Sequence, residues 1–339
     1  MTNKNLRSDL PFILKPAYKD YLWGGDKLIK EFGKSPESLP LAESWECSTH
    51  KDGESLVATG FYEGETLKNV LKNNPEFLGE AFNKLISEGD YEGDLPILIK
   101  LIDAKENLSV QVHPDDEYAR INEDNQLGKA EMWYILSAEK DSEILMGFNR
   151  KVTGEEFGEA LKKGDVTGFL SKIPAREDDV YYIPPGTVHG IGRGLMLAEI
   201  QENSNLTYRL FDYDRLDKNG KKRPLHKEKA LDVINFTDDV SLRQPLRVLR
   251  YERGCARELL NRCKYFEVYR ILLNSEEGIV FETDTISYRV LLCYDGCGTI
   301  KNTDLNFSLS FKKGDCIFFT AVKREFSIEG KASFLDVRG

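Results

Sequence analysis

Short runs in which apolar and polar residues alternate, broken by Gly, Asp, Asn and Pro, fill most of the chain. Period-2 alternation bounded by turn residues predicts strands, and the clearest cover 95–102, 108–113, 132–136, 180–183 and 196–201. Helical spacing is scarce. Thr66 is a plausible N-cap for a helix over 66–71, in which Leu67, Val70 and Leu71 share a face. A second helical stretch follows Pro75 over 76–86, and shorter ones are predicted over 155–163 and 226–234. The pattern is therefore mainly β, with a small helical insertion at about 66–87.

The stretch Asp217-Lys-Asn-Gly-Lys-Lys-Arg-Pro224 is polar and turn-rich, and is expected to stay unburied. One short helix follows, and a strand pattern resumes from about Asp238. This places a domain boundary near residue 235, dividing the chain into 1–235 and 236–339. A faint internal echo aligns 179–189 with 315–325: each begins at an acidic turn and runs through an apolar strand. The second copy lacks the prolines, glycine and histidine of the first, so the C-terminal unit reads as β-rich and without metal ligands.

The chain has 339 residues, enough for two cores, with 40% hydrophobic and 31% charged residues, the balance of a soluble globular protein. A formal net charge of −10 argues against general nucleic-acid binding, which needs a basic footprint. No apolar run is long enough to span a membrane, and the first ten residues lack a secretory hydrophobic stretch. A cytoplasmic location is expected. The six cysteines are read as reduced, mostly core residues. Cys293 and Cys297, which flank a Tyr-Asp-Gly turn, leave a second metal site as a weaker alternative. Oligomeric state is not legible.

Candidate chemistry is concentrated in the middle of the chain. In Val-Gln-Val-His-Pro, strand alternation projects Ser109, Gln111 and His113 from one face. Lys129, Glu131 and Trp133 form a second set by the same rule. His189 ends Ile-Pro-Pro-Gly-Thr-Val-His, where Pro and Gly fix a turn that delivers the imidazole at a strand edge. Two of the four histidines thus sit in ligand-dense segments, while His50 and His226 lie in charged, loop-like surroundings and are left out. Two imidazoles, one carboxylate and one amide oxygen would leave a divalent ion with about one uncompensated positive charge, a useful Lewis acid. Such mixed ligation suits catalytic Zn²⁺, and Mn²⁺, Fe²⁺ or Co²⁺ also fit.

Glu199 interrupts the apolar run Leu197-Ala-Glu-Ile, so its carboxylate needs a partner. Any anionic substrate needs a local cationic pocket in so acidic a chain, and Lys100, Lys129, Arg209 and Arg215, with Ser109, are the candidates. The competing expectation for Arg209 is a surface ion pair with Asp212 or Asp214.

Val-Gln-Val-His-Pro-Asp-Asp, Gly-Lys-Ala-Glu-Met-Trp-Tyr and Ile-Pro-Pro-Gly-Thr-Val-His resemble the cupin metal signature of the type I phosphomannose isomerases, in their short bacterial form. Leu14-Lys-Pro-Ala-Tyr-Lys-Asp-Tyr-Leu-Trp-Gly-Gly25, Glu43-Ser-Trp-Glu46 and the segment from Glu199 to Arg215 are similar to the same family; beyond residue 240 the likeness is much weaker. The resemblance implies a cupin (jelly-roll) catalytic domain with a degenerate cupin-like domain after it. It implies Gln111, His113, Glu131 and His189 as ligands of one Zn²⁺ per chain. The reaction implied is interconversion of mannose 6-phosphate and fructose 6-phosphate through a cis-enediol. Arg209 matches the family's catalytic arginine; Lys129 and Glu199 are the other catalytic candidates, and Ser109, Lys100, Arg215 and Glu43 the substrate-binding ones. Glu199 and a metal-bound hydroxide remain rival bases. Two alternatives stand beside this reading: a non-catalytic sugar-phosphate-binding cupin and an iron-dependent cupin oxygenase.

Overall fold

The computed structural model describes residues 7–87, 92–164, 166–217, 219–236 and 247–339. Among them the strands fall into three sheets. A six-stranded antiparallel sheet runs Val180–Ile183, Glu131–Ala138, Leu195–Glu202, Ile97–Ala104, Glu43–Cys47, Ala17–Lys19. A five-stranded sheet runs Tyr208–Phe211, Val110–Val112, His189–Ile191, Glu143–Phe148, Leu170–Pro174. The third is nine-stranded and is formed mainly after residue 247.

The six-stranded sheet is the middle layer, and its side chains divide by parity as period-2 geometry requires. Trp133, Ile135, Leu195 and Leu197 pack with Ile144, Met146 and Ile191 of the five-stranded sheet. The alternate residues Met132, Tyr134, Ala198 and Ile200 turn the other way and pack with Val268, Val290, Phe318 and Val337 of the C-terminal sheet. Both faces are covered, and all eight residues of Ile97–Ala104 and of Leu195–Glu202 are buried. At about 25 cal/mol per Å² of apolar surface, this two-sided burial is the main force joining the layers. The C-terminal sheet folds around a core of its own that includes Phe281, Ile317, Phe319 and Phe334.

The outer face of the five-stranded sheet is closed by two helices. Gly154–Lys163 starts at Thr153, whose hydroxyl accepts from the Glu156 amide at 3.2 Å, and stops at Gly164 in the left-handed region. Its Phe157 and Leu161 meet Val110, Val112 and Leu210, with Ala230 of Lys227–Val233 beside them.

The predicted strands form with ends displaced by one or two residues. The helical insertion is more broken than its spacing suggested. Leu67–Asn73 is helical and capped by Thr66, but Pro75–Leu78 and Glu80–Phe82 are 3₁₀ turns, followed by Asn83–Ser87. Gly79 between them has φ +97°, and a Cβ there would lie 2.5 Å from the Ile286 carbonyl. The Glu80 and Ala81 amides donate to the Thr285 and Ile286 carbonyls, so C-terminal backbone captures donors that a continuous helix would satisfy internally.

The N-terminal strands Phe12–Lys15 and Leu56–Val57 also belong to the nine-stranded sheet, with Phe12 opposite Phe318. The resumption of strand pattern near Asp238 falls outside the described residues; the first described strand after it is Val248–Glu252. The echo segments both contain strands, Val180–Ile183 and Cys316–Phe319. All six cysteines are free thiols. Cys293 is buried against the Asp295 and Gly296 carbonyls while Cys297 is exposed, so the two do not form a site. No helix among the described residues is long and apolar enough to cross a membrane.

Candidate metal centre and substrate pocket

The five-stranded sheet brings Gln111, His113 and His189 to a polar cluster, and the six-stranded sheet facing it brings Glu131. Val110–Val112 and His189–Ile191 are neighbours, with His189 opposite Gln111 in register. His113 follows directly after the first of them. Glu131 begins the central strand across the gap. His113, Glu131 and His189 are all buried, and one ligating atom from each lies within 4.8 Å of the others.

Both imidazoles are oriented by backbone. Nδ1 of His113 lies 2.7 Å from the Leu206 carbonyl, and Nδ1 of His189 lies 2.9 Å from the Thr187 carbonyl. A carbonyl only accepts, so each Nδ1 carries the proton and each Nε2 lone pair points into the cluster, the tautomer a metal needs. Burial, then the Lys129 ammonium, pushes His113 down to about 4, and burial also lowers His189. Both are neutral at physiological pH. Burial alone would raise Glu131, but Lys129 and the two histidines hold it well below its ordinary value.

Glu131 Oε1 is buried without a hydrogen-bond partner. An ionised carboxylate oxygen left bare among inward-facing lone pairs is unfavourable unless a cation joins it. The donor set therefore fits a divalent metal. The Gln111 amide lies 3.3 Å from His189 Nε2, and its oxygen accepts from Ser109 at 3.2 Å. A half-turn of that amide presents its oxygen to the cluster instead.

A pocket of about 280 Å³ opens beside the cluster. Lys129 Nζ spans the two, 2.5 Å from Glu131 Oε2 and 3.7 Å from Glu199 Oε1. The buried Glu199 finds the partners its apolar strand demands: Lys100 at 3.1 Å on Oε1 and the Trp133 indole N–H at 3.1 Å on Oε2. Glu43 accepts from the Trp45 indole at 2.6 Å and lies 3.7 Å from Lys100. Burial works against the Lys100 charge, but Glu199 and Glu43 outweigh it and raise its pKa above the ordinary value. Ser109, Gln111, Lys129, Glu199, Arg209 and Glu43 all line this pocket, as does Lys100.

Arg209 is not tied up by an acidic neighbour. Its Nη1 donates to the Pro224 carbonyl at 3.1 Å, and its Nε is buried without a partner. Burial and the nearby Arg223 lower its pKa, though a guanidinium remains charged at any physiological pH. Asp212 instead binds Arg215 and Arg223, and Asp214 pairs with Lys222.

Arg215 differs in placement from the other candidates. It donates to the Asn107 carbonyl and to Asp212 and does not line the pocket. Arg223 takes that place, although it belongs to the turn-rich stretch expected to be unburied. Its fork on Asp212, with Nε at 2.8 Å from Oδ2, folds the loop back over the pocket. Tyr21, Trp23, Asn205 and Thr207 also line it; they lie in the family-like segments 14–25 and 199–215, but neither spacing nor residue type marks them as site residues. His226 lies outside the ligand cluster but braces Arg209: its Nδ1 accepts from the Arg209 amide at 3.1 Å, and its own amide donates to the Arg209 carbonyl at 2.8 Å. His50 is buried with its ring edge-on to Trp45, 5.8 Å between centroids, despite its charged sequence neighbours.

Residues 12–141 match the model of the phosphomannose isomerase type I catalytic domain. A probable mannose-6-phosphate isomerase of Bacillus subtilis (GmuF) is 36% identical over 96% of this chain and 98% of its own length. The crystal structure of mannose 6-phosphate isomerase from Bacillus subtilis superposes with a TM-score of 0.86 at 33% identity, covering 97% of this chain and 99% of that one. A zinc-bound mannose 6-phosphate isomerase shares the fold at 15% identity and a TM-score of 0.75, over 97% and 99% of the two chains.

Proposed function

Since the chain belongs to the type I phosphomannose isomerase family, we propose that Gln111, His113, Glu131 and His189 hold one divalent ion and that the adjoining pocket carries the substrate. The chain is an intramolecular aldose–ketose isomerase that interconverts D-mannose 6-phosphate and D-fructose 6-phosphate. Its fold is that of the cupin-like isomerases, and its partner is a small-molecule sugar phosphate.

The bare Glu131 oxygen between two inward-facing imidazoles is the observation that carries the metal assignment. We assign zinc, one per chain, because mixed imidazole and oxygen ligation suits it and a neighbour of the same fold is zinc-bound; another divalent ion is the alternative. When bound, the ion supplies Lewis acidity toward the substrate's carbonyl and hydroxyl oxygens.

The chain's own groups supply the rest. Glu199 carries the proton between C2 and C1 of the opened sugar, passing through a cis-enediol. Lys100 and the Trp133 N–H each occupy one of its oxygens, fixing the carboxylate's orientation. Lys129 reaches from Glu131 toward Glu199 and donates to the oxygen that becomes negative as the proton leaves. Arg209 places a fixed positive charge on the pocket wall for the same oxyanion or for the phosphate. Ser109 and Glu43 bind sugar hydroxyls. Arg215, off the wall, acts through Asp212.

The division near residue 235 is part of this reading, with the N-terminal strands crossing into the C-terminal unit. So is action in the cytoplasm without nucleic-acid or membrane partners, of which the acidic net charge supports the lack of a nucleic-acid partner. The oxygenase and pure-binding alternatives are not favoured, since the full-length relatives are isomerases.

The test is conversion of mannose 6-phosphate to fructose 6-phosphate before chelation, after it, and after restoring Zn²⁺. Loss and recovery are expected, and Arg209→Ala should remove most turnover while keeping its metal. Normal turnover in the chelated protein would overturn the metal's role.

A further inference from the structure

The C-terminal sheet contains a second cationic recess, remote in sequence from the catalytic pocket. A groove of about 410 Å³ opens along its edge strands. Five of its lining residues are arginines: Arg250, Arg257, Arg262, Arg289 and Arg338. Three are carboxylates, Glu252, Glu267 and Asp336, leaving a formal excess of two positive charges. The catalytic pocket, with two lysines and two arginines against Glu43 and Glu199, has the same excess. In a chain of net charge −10, a second such concentration is not expected from composition.

Inside the groove Arg250, Arg257 and the carboxylate Glu252 form no ion pair among the described residues. Arg262 is bound to Glu267 and Arg289 to Asp336. Arg250 and Arg257 stand directly opposite each other on the antiparallel strands Val248–Glu252 and Cys255–Arg262. Like charges in that register repel, and neither arginine has a carboxylate partner among the described residues. Arg257 gives one Nη to the Val280 carbonyl at 3.1 Å, and its Nε is buried without a partner. Arg338 also has a buried, unpartnered Nε, and its reach to Asp284 is long at 3.5 Å. On the adjoining row Val248 stands opposite Leu259, and Leu259 opposite Tyr269, giving the groove an apolar flank.

Guanidinium groups with free N–H donors, Arg250 on an exposed strand and Arg257 opposite it in register, match the oxygens of a phosphate dianion. We propose that this groove is a second anion site, which takes the phosphate group of a small phosphorylated metabolite, or free phosphate, between Arg250, Arg257 and Arg338. It lies outside the catalytic pocket; only the expected total of two phosphate sites rests on the reading of that pocket as phosphate-binding.

The test is calorimetric titration of the metal-loaded full chain with inorganic phosphate, alongside an Arg250→Gln/Arg257→Gln variant. Two phosphate sites per chain are expected in the parent. In the variant one should weaken by about tenfold or more, the loss expected for charge-assisted hydrogen bonds, with mannose 6-phosphate turnover in phosphate-free buffer unchanged. The variant should melt no lower than the parent without phosphate, because it removes like-charge repulsion; phosphate should raise the parent's Tm by more than the variant's. A parallel titration of Arg209→Ala with mannose 6-phosphate distinguishes the sources: binding there without binding of free phosphate assigns the groove to the ester. Identical phosphate and sugar-phosphate binding by parent and double variant would overturn the proposal.

Discussion

The Glu131 carboxylate divides its two oxygens between two imidazoles. Oε1 lies 3.2 Å from His189 Nε2, and Oε2 lies 3.5 Å from His113 Nε2. Glu131 comes from the central sheet, Val110–Val112 leads into His113, and His189 opens a strand of the facing sheet, so one side chain ties the two layers at the proposed metal centre. Glu131→Gln removes the one anionic member of the proposed ligand set. Metal affinity should fall by more than about 100-fold, the upper end for disturbing even an outer partner of a metal ligand. Metal analysis after dialysis against a weak chelator checks this; full occupancy in the variant would refute the ligand assignment.

Glu199 is held by Lys100 and Trp133 without touching Glu131, so its role is separable from metal binding. Glu199→Gln keeps the size and one acceptor but no proton-accepting charge. We expect kcat to fall by about 10²–10⁴, the usual worth of a positioned acid or base, with metal content unchanged. A kcat within a few-fold of the parent would transfer the proton to another group.

Arg223 lines the pocket while Arg215 does not, although both grip Asp212. Arg223→Ala should raise KM for mannose 6-phosphate by roughly 10–100-fold, the loss of one charge-assisted contact, and change kcat much less. Steady-state kinetics of Arg223→Ala and Arg215→Ala side by side decide between them. A larger KM effect in the latter would reverse the assignment.

Lys34 and Glu46 form an ion pair at 2.7 Å with both side chains buried, and Lys34 also donates to the Gly314 carbonyl at the edge of the C-terminal sheet. Lys34→Met strands the carboxylate and should cost about 3–5 kcal/mol. The double variant Lys34→Met/Glu46→Leu should recover most of that loss. Denaturant titration of the three proteins gives the answer; equal stability of single and double variants would show that the pair is not coupled.

Glu202 is pushed up to about 8 by burial and by the neighbouring Asp116, while its Oε2 accepts from the Ala130 amide at 2.7 Å. A carboxyl group whose folded pKa exceeds its unfolded one binds the proton more tightly when folded. Its stabilising contribution is therefore present at low pH and lost as pH rises from about 4.3 toward 8. Glu202→Gln should leave Tm nearly unchanged near pH 4 and raise it progressively toward pH 8 by several °C, since each unit of pKa difference is worth about 1.4 kcal/mol. Parallel melting curves for parent and variant across that range would reject the linkage.

The alternating strands and the ligand types were legible in the sequence, because both follow from local geometry. A period of two puts Gln111 with Ser109, and Glu131 with Lys129 and Trp133, wherever the strand lies. The need of Glu199 for a partner was legible in the same way, from one carboxylate in an apolar run. Tertiary structure alone decided which partner arrived. Lys100 and Trp133 come from the neighbouring strands in the sheet. Arg223 reaches the pocket only because Asp212 folds its loop inward, and Gly79 breaks the helical insertion only because the Ile286 carbonyl lies against it. These outcomes depend on contacts between residues far apart in the chain, which neither spacing nor residue type encodes locally.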